Sequence, residues 1–328
     1  MTSPVPTRPD DRAGSADRLR VTVVICAYTL NRWSETKSAV ASVVGQRPAP
    51  AQVLLVIDHN PELAALARAE LPEVTVLESS GDPGLSGARN TGLAAATEPV
   101  TAFLDDDAEA QPGWLATLIE PYEDAGVAAT GGGVWPRWAA SRPDWLPPEF
   151  DWVVGCSYVG LPVGPAAVRN PIGANMSFRT QLALEAGGFN GSVGRIGTRP
   201  RGCEETELAI RVTATAEAAV MYVPAAAVDH HVGPERTRFG YFVRRCWHEG
   251  QSKAAVVGLV GASAGLSRER RQAAVIIPAA IRRDLGSLCR GRVAGGKRIV
   301  ASVVGLAASA TGYSAGRVTR NARPSIRR

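Results

Sequence analysis

At 328 residues the chain is long enough for two domains, or for one large α/β domain with an appendage. Apolar side chains make up 45% and charged ones 20%, a balance that excludes a disordered chain, a collagen-like repeat and a polytopic membrane protein. The net charge of +5 averages two unlike pieces: residues 1–235 hold 17 basic and 28 acidic side chains, whereas residues 236–328 hold 19 and 3.

The first stretch is rich in Pro, Asp and Arg and has no apolar run, so residues 1–20 read as a disordered leader and not as a secretory signal. Val21–Ala27 is a continuous β-branched run, the pattern of a strand buried on both faces of a parallel sheet. A helix is predicted over Trp33–Gly45, a second buried strand over Gln52–Asp58, a helix over Glu62–Glu70 and a third strand over Val74–Leu77. Ser86–Ala96 and Val100–Leu104 supply the next helix and strand. This alternation predicts a parallel, doubly wound α/β sheet in which ligands bind at the carboxyl ends of the strands. From Trp135 to Trp152 the pattern gives way to a Pro/Trp-rich loop holding Trp135, Trp138, Trp145 and Trp152, an aromatic surface suited to stacking on a ligand or to packing as a lid. Regular structure returns at Gly173–Phe178, followed by helices over Gln181–Ala186 and Glu204–Ala216 and a strand over Ala219–Val223. After Arg236 the chain reads as helical, with Arg clusters separating the apolar stretches Ala254–Leu266, Ala273–Ile281 and Ile299–Ala310. The uncharged run Ile299–Gly316 is just long enough to span a bilayer but is diluted by Ala, Gly, Ser and Thr, so a surface helix is expected.

Five scattered cysteines without a CxxC pair provide neither a disulfide framework nor a metal-type spacing, which fits a reducing cytoplasm. Polar residues placed immediately after strands carry the chemistry. Asp105, Asp106 and Asp107 follow Val100–Leu104 directly. Three carboxylates there repel one another, and a divalent cation such as Mg²⁺ or Mn²⁺ relieves the repulsion while reaching for phosphate oxygens. The structural alternative is an acidic cluster at a helix N-terminus. Asp58 ends the second predicted strand, where it can accept hydrogen bonds from a base or ribose, or serve the turn. Gly81–Gly92 (GDPGLSGARNTG) opens a helix whose backbone N–H groups and Arg89 could face an anion, yet it matches neither GxGxxG nor the P-loop.

These features, together with ICAYTLNR at 25–32, resemble the family 2 glycosyltransferases, nucleotide-sugar-dependent enzymes of the GT-A fold, over about residues 20–250. The resemblance is carried by GLSGARNTGLAAA and FLDDDAE, and by GANMSFRTQLALEAGGFN at 173–190 with GCEETELAIRV at 202–212. It implies a GT-A core over 21–235, a mixed sheet flanked by helices, with a basic helical extension over 236–328. For the donor it implies Cys26 at the family's Thr/Ser position, Tyr28 as a platform for the base, Asp58 reading the base N–H, and Arg89 near the nucleotide. Asp105 would belong to the donor site, Asp106 would contact the ribose or the metal, Asn175 would line the sugar pocket, and the Asn of the first motif is displaced to Asn31. For the metal, Mn²⁺ or Mg²⁺, it implies Asp107 with Asp106 and His230. Glu205 is the implied catalytic base, where the family more often has Asp, with Glu204 as the alternative. The base takes the acceptor hydroxyl's proton while that oxygen attacks C1 opposite the leaving nucleotide, which inverts the anomeric centre. UDP or dTDP is expected in preference to GDP, and the acceptor is unassigned. Two other readings are a sugar-phosphate nucleotidyltransferase, whose Gly-rich basic loop CAYTLNRW lacks, and an inactive membrane-associated scaffold.

Arg236, Arg238, Arg244, Arg245 and Lys253 form a basic run suited to a diphosphate, an anionic acceptor or lipid, or simply a solvated helix face. The basic piece as a whole suits peripheral docking on an anionic membrane from the cytoplasmic side, and nothing points to nucleic acid beyond charge. The bias of 33 Arg to 3 Lys suggests a GC-rich bacterial source.

Overall fold

The computed structural model describes residues 19–194 and 202–321. The expected leader lies outside the described residues except for Leu19, which packs on the core, and Arg20, which pairs with Glu98 at 3.1 Å.

Strands β1 (Val21–Ala27), β2 (Gln52–Ile57), β3 (Thr75–Glu78) and β4 (Val100–Asp105) are parallel and lie in the order β3-β2-β1-β4. The helices between them are α1 (Trp33–Val44), α2 (Pro61–Glu70) and α3 (Leu85–Ala95). The start of α2 is defined locally: Asn60 Oδ1 accepts from the Leu63 N–H, and Pro61 occupies the first turn, where its missing donor costs nothing. Side chains of β1 alternate between two buried layers. Val23 and Ile25 pack with Val40 and Val43 of α1 and Leu63 of α2, while Val24 packs with Ala88 and Leu93 of α3. Both faces of the strand are therefore dry, which is why its sequence is apolar apart from Thr22, whose hydroxyl donates to Gln52 Oε1 at 2.7 Å; each buried apolar side chain contributes about 1.5–3 kcal/mol.

The second half of the sheet departs from the parallel expectation. It comprises β5 (Ala108–Ala110), β6 (Val127–Trp138), β7 (Ala166–Val168), β8 (Asn175–Arg179) and β9 (Ala219–Val232), with helices α4 (Trp114–Ile119), α5 (Thr180–Glu185) and α6 (Glu204–Ala216). β8 inserts antiparallel between β4 and β6, and β9 runs parallel to β6 but antiparallel to β5 and β7. The sheet is therefore mixed, as the GT-A resemblance implies. The segment expected as a loop from Trp135 begins inside β6, and β9 continues past Val223 to Val232, so His230 and His231 lie within a strand. Gly131–Gly133 disguise β6 as a turn. At Gly132 a Cβ would collide with the Ala226 carbonyl and the Asn175 side chain, so the strand needs a residue without one.

Four helices follow: α7 (Phe239–Val260), α8 (Ala262–Arg271), α9 (Ile277–Cys289) and α10 (Val293–Asn321), with a π turn at Gln272–Ile276 joining α8 to α9. Gly261, at φ 85°, breaks the apolar stretch Ala254–Leu266 into two helices. α10 runs along α7 with the backbones nearly touching: a Cβ at Gly250 would strike the Ser309 carbonyl, and one at Gly312 the Trp247 carbonyl. A third apolar cluster seats these helices on the core by joining Leu146, Phe150 and Val153 to Phe242, Ile277 and Ala301. Trp145 meets Phe239 and Phe242 edge-on at 5.1 and 5.5 Å, so much of the tryptophan segment serves this seam.

Candidate active site

Strand register brings the functional side chains to one edge. Cys26 pairs with Asp105 and Ala27 with Ile57, so Tyr28, Asp58 and Asp105 emerge together where β1, β2 and β4 end. The tight turn from β4 to β5 carries Asp106 and Asp107, and the pairing of Ala108 with His230 sets Asp107 beside the histidine on β9. A cavity of about 870 Å³ opens at this edge. Cys26, Tyr28, Asp58, Arg89, Asp105, Asp106, Asp107, Glu204, Glu205 and His230 all line it.

Asn175 does not. It is fully buried, its Oδ1 accepts from Trp114 Nε1 at 2.8 Å, and its Nδ2 donates to the carbonyls of Gly133 and Ala226 at 3.0 and 2.8 Å. Every polar atom of the amide is thus occupied in tying β8, β6 and β9 together, which corrects its assignment to the donor-sugar pocket. Asn31 lies outside the cavity lining as well.

The acidic cluster divides differently from expectation. Ligand atoms of Asp105, Asp107 and His230 lie within 4.8 Å of one another, whereas Asp106 turns toward Arg32, which donates to its Oδ1 at 2.9 Å. The structure thus exchanges Asp105 for Asp106 in the triad. Asp107 is ringed by cations: His230 Nε2 at 3.1 Å, Arg236 at 2.9 Å and Arg32 at 3.2 Å. Burial acts to raise its carboxyl, but these neighbours hold it well below the usual range. Burial likewise acts to lower His230, yet Asp107 outweighs it and raises the imidazole to about 10. Asp106 is pushed up to about 7 by burial and by Asp107, against Arg32, and its Oδ2 is buried without a partner among the described residues. Two carboxylates and an imidazole in a half-dry pocket fit Mn²⁺ or Mg²⁺, and the orphaned Asp106 oxygen marks capacity still unmet.

Arg89 is buried, and its donors go to protein: Glu204 Oε1 at 2.7 Å, Asp105 Oδ1 at 3.0 Å and the Gly173 carbonyl at 2.9 Å. One guanidinium therefore joins the acidic cluster to the start of α6, at the cavity edge. Glu204 Oε1 is held by this pair while its Oε2 is buried without a partner among the described residues, and Glu207 is paired with Arg211. Glu205 lines the cavity beside Glu204 but has no arginine partner among the described residues, and Thr206 Oγ1 donates to it at 2.9 Å. Burial and the neighbouring Glu204 charge raise its carboxyl to about 7. Cys26 is a neutral thiol, pushed up to about 12 by burial. Asp58 accepts from the Gly84 N–H at 2.9 Å and pairs with His59, which fixes its carboxylate at the rim, and Tyr28 is 43% exposed beside the Arg32 guanidinium.

About a third of the cavity wall comes from the helical segment α7–α10, whose place there was not legible in the sequence. Lys253 bonds Glu249 and Glu269 at 3.3 and 2.9 Å, Arg245 pairs with Glu249, and Arg169 pairs with Glu269. Cys203, at φ 77° just before α6, donates its thiol to Glu249, which wires this network to the residue preceding Glu204. Arg268 lies over the Tyr158 ring, and Tyr313 and Leu306 complete the wall. A signal existed: only three acids follow residue 235, and an isolated acid in a basic segment points to an internal ion pair.

The comparisons agree with this geometry. The family model described as "Glycosyl transferase family 2" matches residues 22–185. The glucosyl-dolichyl phosphate glucuronosyltransferase of Haloferax volcanii is 34% identical over 239 residues, 72% of this chain and 76% of that one. The succinoglycan biosynthesis protein ExoM of Rhizobium meliloti is 24% identical over 82% of this chain and 88% of its own. Among solved structures, the mannosyltransferase PcManGT of Pyrobaculum calidifontis, in complex with GDP-Man and Mn²⁺, superposes with a TM-score of 0.59 over 91% of this chain and 88% of that chain. GalNAc-T7 with UDP, GalNAc and Mn²⁺ gives 0.52 over 78% of this chain and 54% of that chain; both are 18% identical and share the fold. Sequence match, mixed sheet and acidic edge agree, and the chain belongs to glycosyltransferase family 2.

Proposed function

We propose that the chain transfers a sugar from a nucleoside-diphosphate sugar, with UDP or dTDP as the nucleotide, to an acceptor hydroxyl with inversion. The observation that carries this is the division of labour at the start of α6: Glu204 is neutralised by Arg89, and Glu205 is left facing the cavity with a carboxyl that titrates near neutrality. The base stacks on Tyr28 and meets Asp58. Asp105, Asp107 and His230 would hold a divalent cation, which supplies positive charge to the leaving diphosphate. Arg32 and Arg236, drawn to Asp106 and Asp107, stand ready to turn to the phosphates when the carboxylates find another partner. Glu205 takes the proton of the acceptor hydroxyl as its oxygen bonds to C1 and the C1–O bond to the diphosphate breaks.

The acceptor enters the part of the cavity walled by α7–α10. There Arg169, Arg245, Lys253 and Arg268 outnumber Glu249 and Glu269 beside apolar Leu306 and Ile277, which supports an acceptor sugar carried on an anionic, partly apolar group. The Haloferax relative, by its name, acts on a sugar linked to dolichyl phosphate, an acceptor of that chemistry. Nucleoside diphosphate release, followed across a panel of donors with and without Mn²⁺, tests the reading. Metal-dependent release with one donor supports it. Pyrophosphate as the product would instead indicate a nucleotidyltransferase, and no product from any donor an inactive scaffold.

A further inference from the structure

The three acids that follow residue 235 are all turned inward: Glu249 and Glu269 join the cavity network, and Asp284 is buried between Arg283 and Arg298. The outer surface of α8–α10 consequently carries no negative side chain of its own. Arg270, Arg271, Arg282, Arg290 and Arg292 stand exposed on it and make no ion pair among the described residues. More than half of the large apolar side chains exposed among the described residues also lie after residue 258. On α9 the outward stripe is Ala279, Arg282, Leu285 and Cys289, opposite the buried Ile277, Ala280, Asp284 and Ser287. On α10 it is Val293, Val300, Val303, Ala307 and Val318, between 53% and 69% exposed at the valines, opposite the glycines that touch α7.

Residues 293–319 of α10 are long and apolar enough to cross a membrane by length and composition. Packing argues against a crossing: α10 is fastened along α7, which carries Arg244, Arg245, Glu249 and Lys253, and such a partner does not enter hydrocarbon. The helix can only lie flat. We propose that the outward face of α9 and α10, with Arg270 and Arg271 at its edge, is a docking surface for an anionic lipid bilayer, with valine and leucine side chains entering the headgroup boundary and the arginines meeting phosphates. A nucleic acid has no use for the apolar stripe, and a second copy of the chain would set arginine against arginine.

Flotation of the full-length protein with vesicles of phosphatidylcholine, alone or mixed with phosphatidylglycerol, tests this without reference to catalysis. Binding is expected to the mixed vesicles only. Replacing Arg271, Arg282 and Arg292 together by Gln is expected to weaken it about a hundredfold, at roughly fivefold per arginine. Val300→Asp with Val303→Asp is expected to remove the part that survives high salt. Thermal melting of each variant should match wild type, since these side chains support no internal contact. Unchanged binding by the arginine variant, or no binding of wild type to mixed vesicles, would overturn the proposal. So would a dimer in light scattering that Val300→Asp dissociates while vesicles go unbound.

Discussion

Glu204 and Glu205 are adjacent on α6, yet their surroundings separate their chemistry. Both reach the cavity, but the first is paired with Arg89 and the second has no cationic partner among the described residues, so their substitutions should fail in different ways. Glu205→Gln is expected to lower turnover by about 10²–10⁴-fold with the fold intact. Glu204→Ala leaves Arg89 buried with one fewer partner, costs on the order of 3–5 kcal/mol, and should show first as a lowered melting temperature. Because the Glu205 carboxyl is raised to about 7, wild-type turnover should fall on the acid side of neutrality, and a rate profile flat down to pH 5 would remove Glu205 as the base. The same shift bears on stability. Between its ordinary 4.5 and about 7 the folded chain holds a proton that the unfolded chain has released, so this group's contribution declines as pH rises through that window. Above it the buried charge costs about 1–3 kcal/mol. Glu205→Gln should therefore melt a few degrees higher than wild type at pH 8 and no higher at pH 4. At this scale the sequence was informative about which residues gather, because carboxylates at strand ends have few structural uses. It could not say which of three consecutive aspartates faces the triad, since that depends on the turn between β4 and β5.

Elements buried on both faces announce themselves, and those that press backbone against backbone do not. β1, β2 and β4 were legible because a dry strand in a parallel sheet is apolar at nearly every position. β6 was not, because its Gly-Gly-Gly core reads as a turn until the Ala226 carbonyl and the Asn175 amide are seen against it. Asn175 escaped for the same reason: nothing in NMSF distinguishes an amide that stitches three strands from one that meets a ligand. The pairing of α7 with α10 repeats the theme. Helical periodicity shows that a face exists, and only the glycines at 250 and 312 tell which partner covers it. Gly312→Val should push α10 off Trp247, cost about 1–3 kcal/mol or more, and raise the KM for acceptor ahead of that for donor. A variant with unchanged melting and an unchanged KM for both substrates would mean that the helices do not wall the acceptor.

Across the whole molecule, opposite charges are sorted into two roles. Six carboxylates of the acidic piece gather around the cavity at one edge of the sheet, and the basic piece turns its three acids inward. A cation at Asp105, Asp107 and His230 binds only the folded chain, so Mn²⁺ at about 100 times its Kd should stabilise it by about 2.7 kcal/mol. The melting temperature should rise by several degrees, a chelator should reverse it, and Asp107→Asn should show no rise. Of the described elements, α10 is the last to leave the ribosome. Until it does, Gly250 has no helix against it and the seam around Phe150 and Phe242 lacks Ala301. The parallel strands and their helices can form earlier, as N-terminal units do during synthesis. The nascent chain can thus complete the strand ends that carry Tyr28, Asp58 and Asp105 before the helices that close the cavity, so for that interval the proposed donor site stands without the wall proposed for the acceptor.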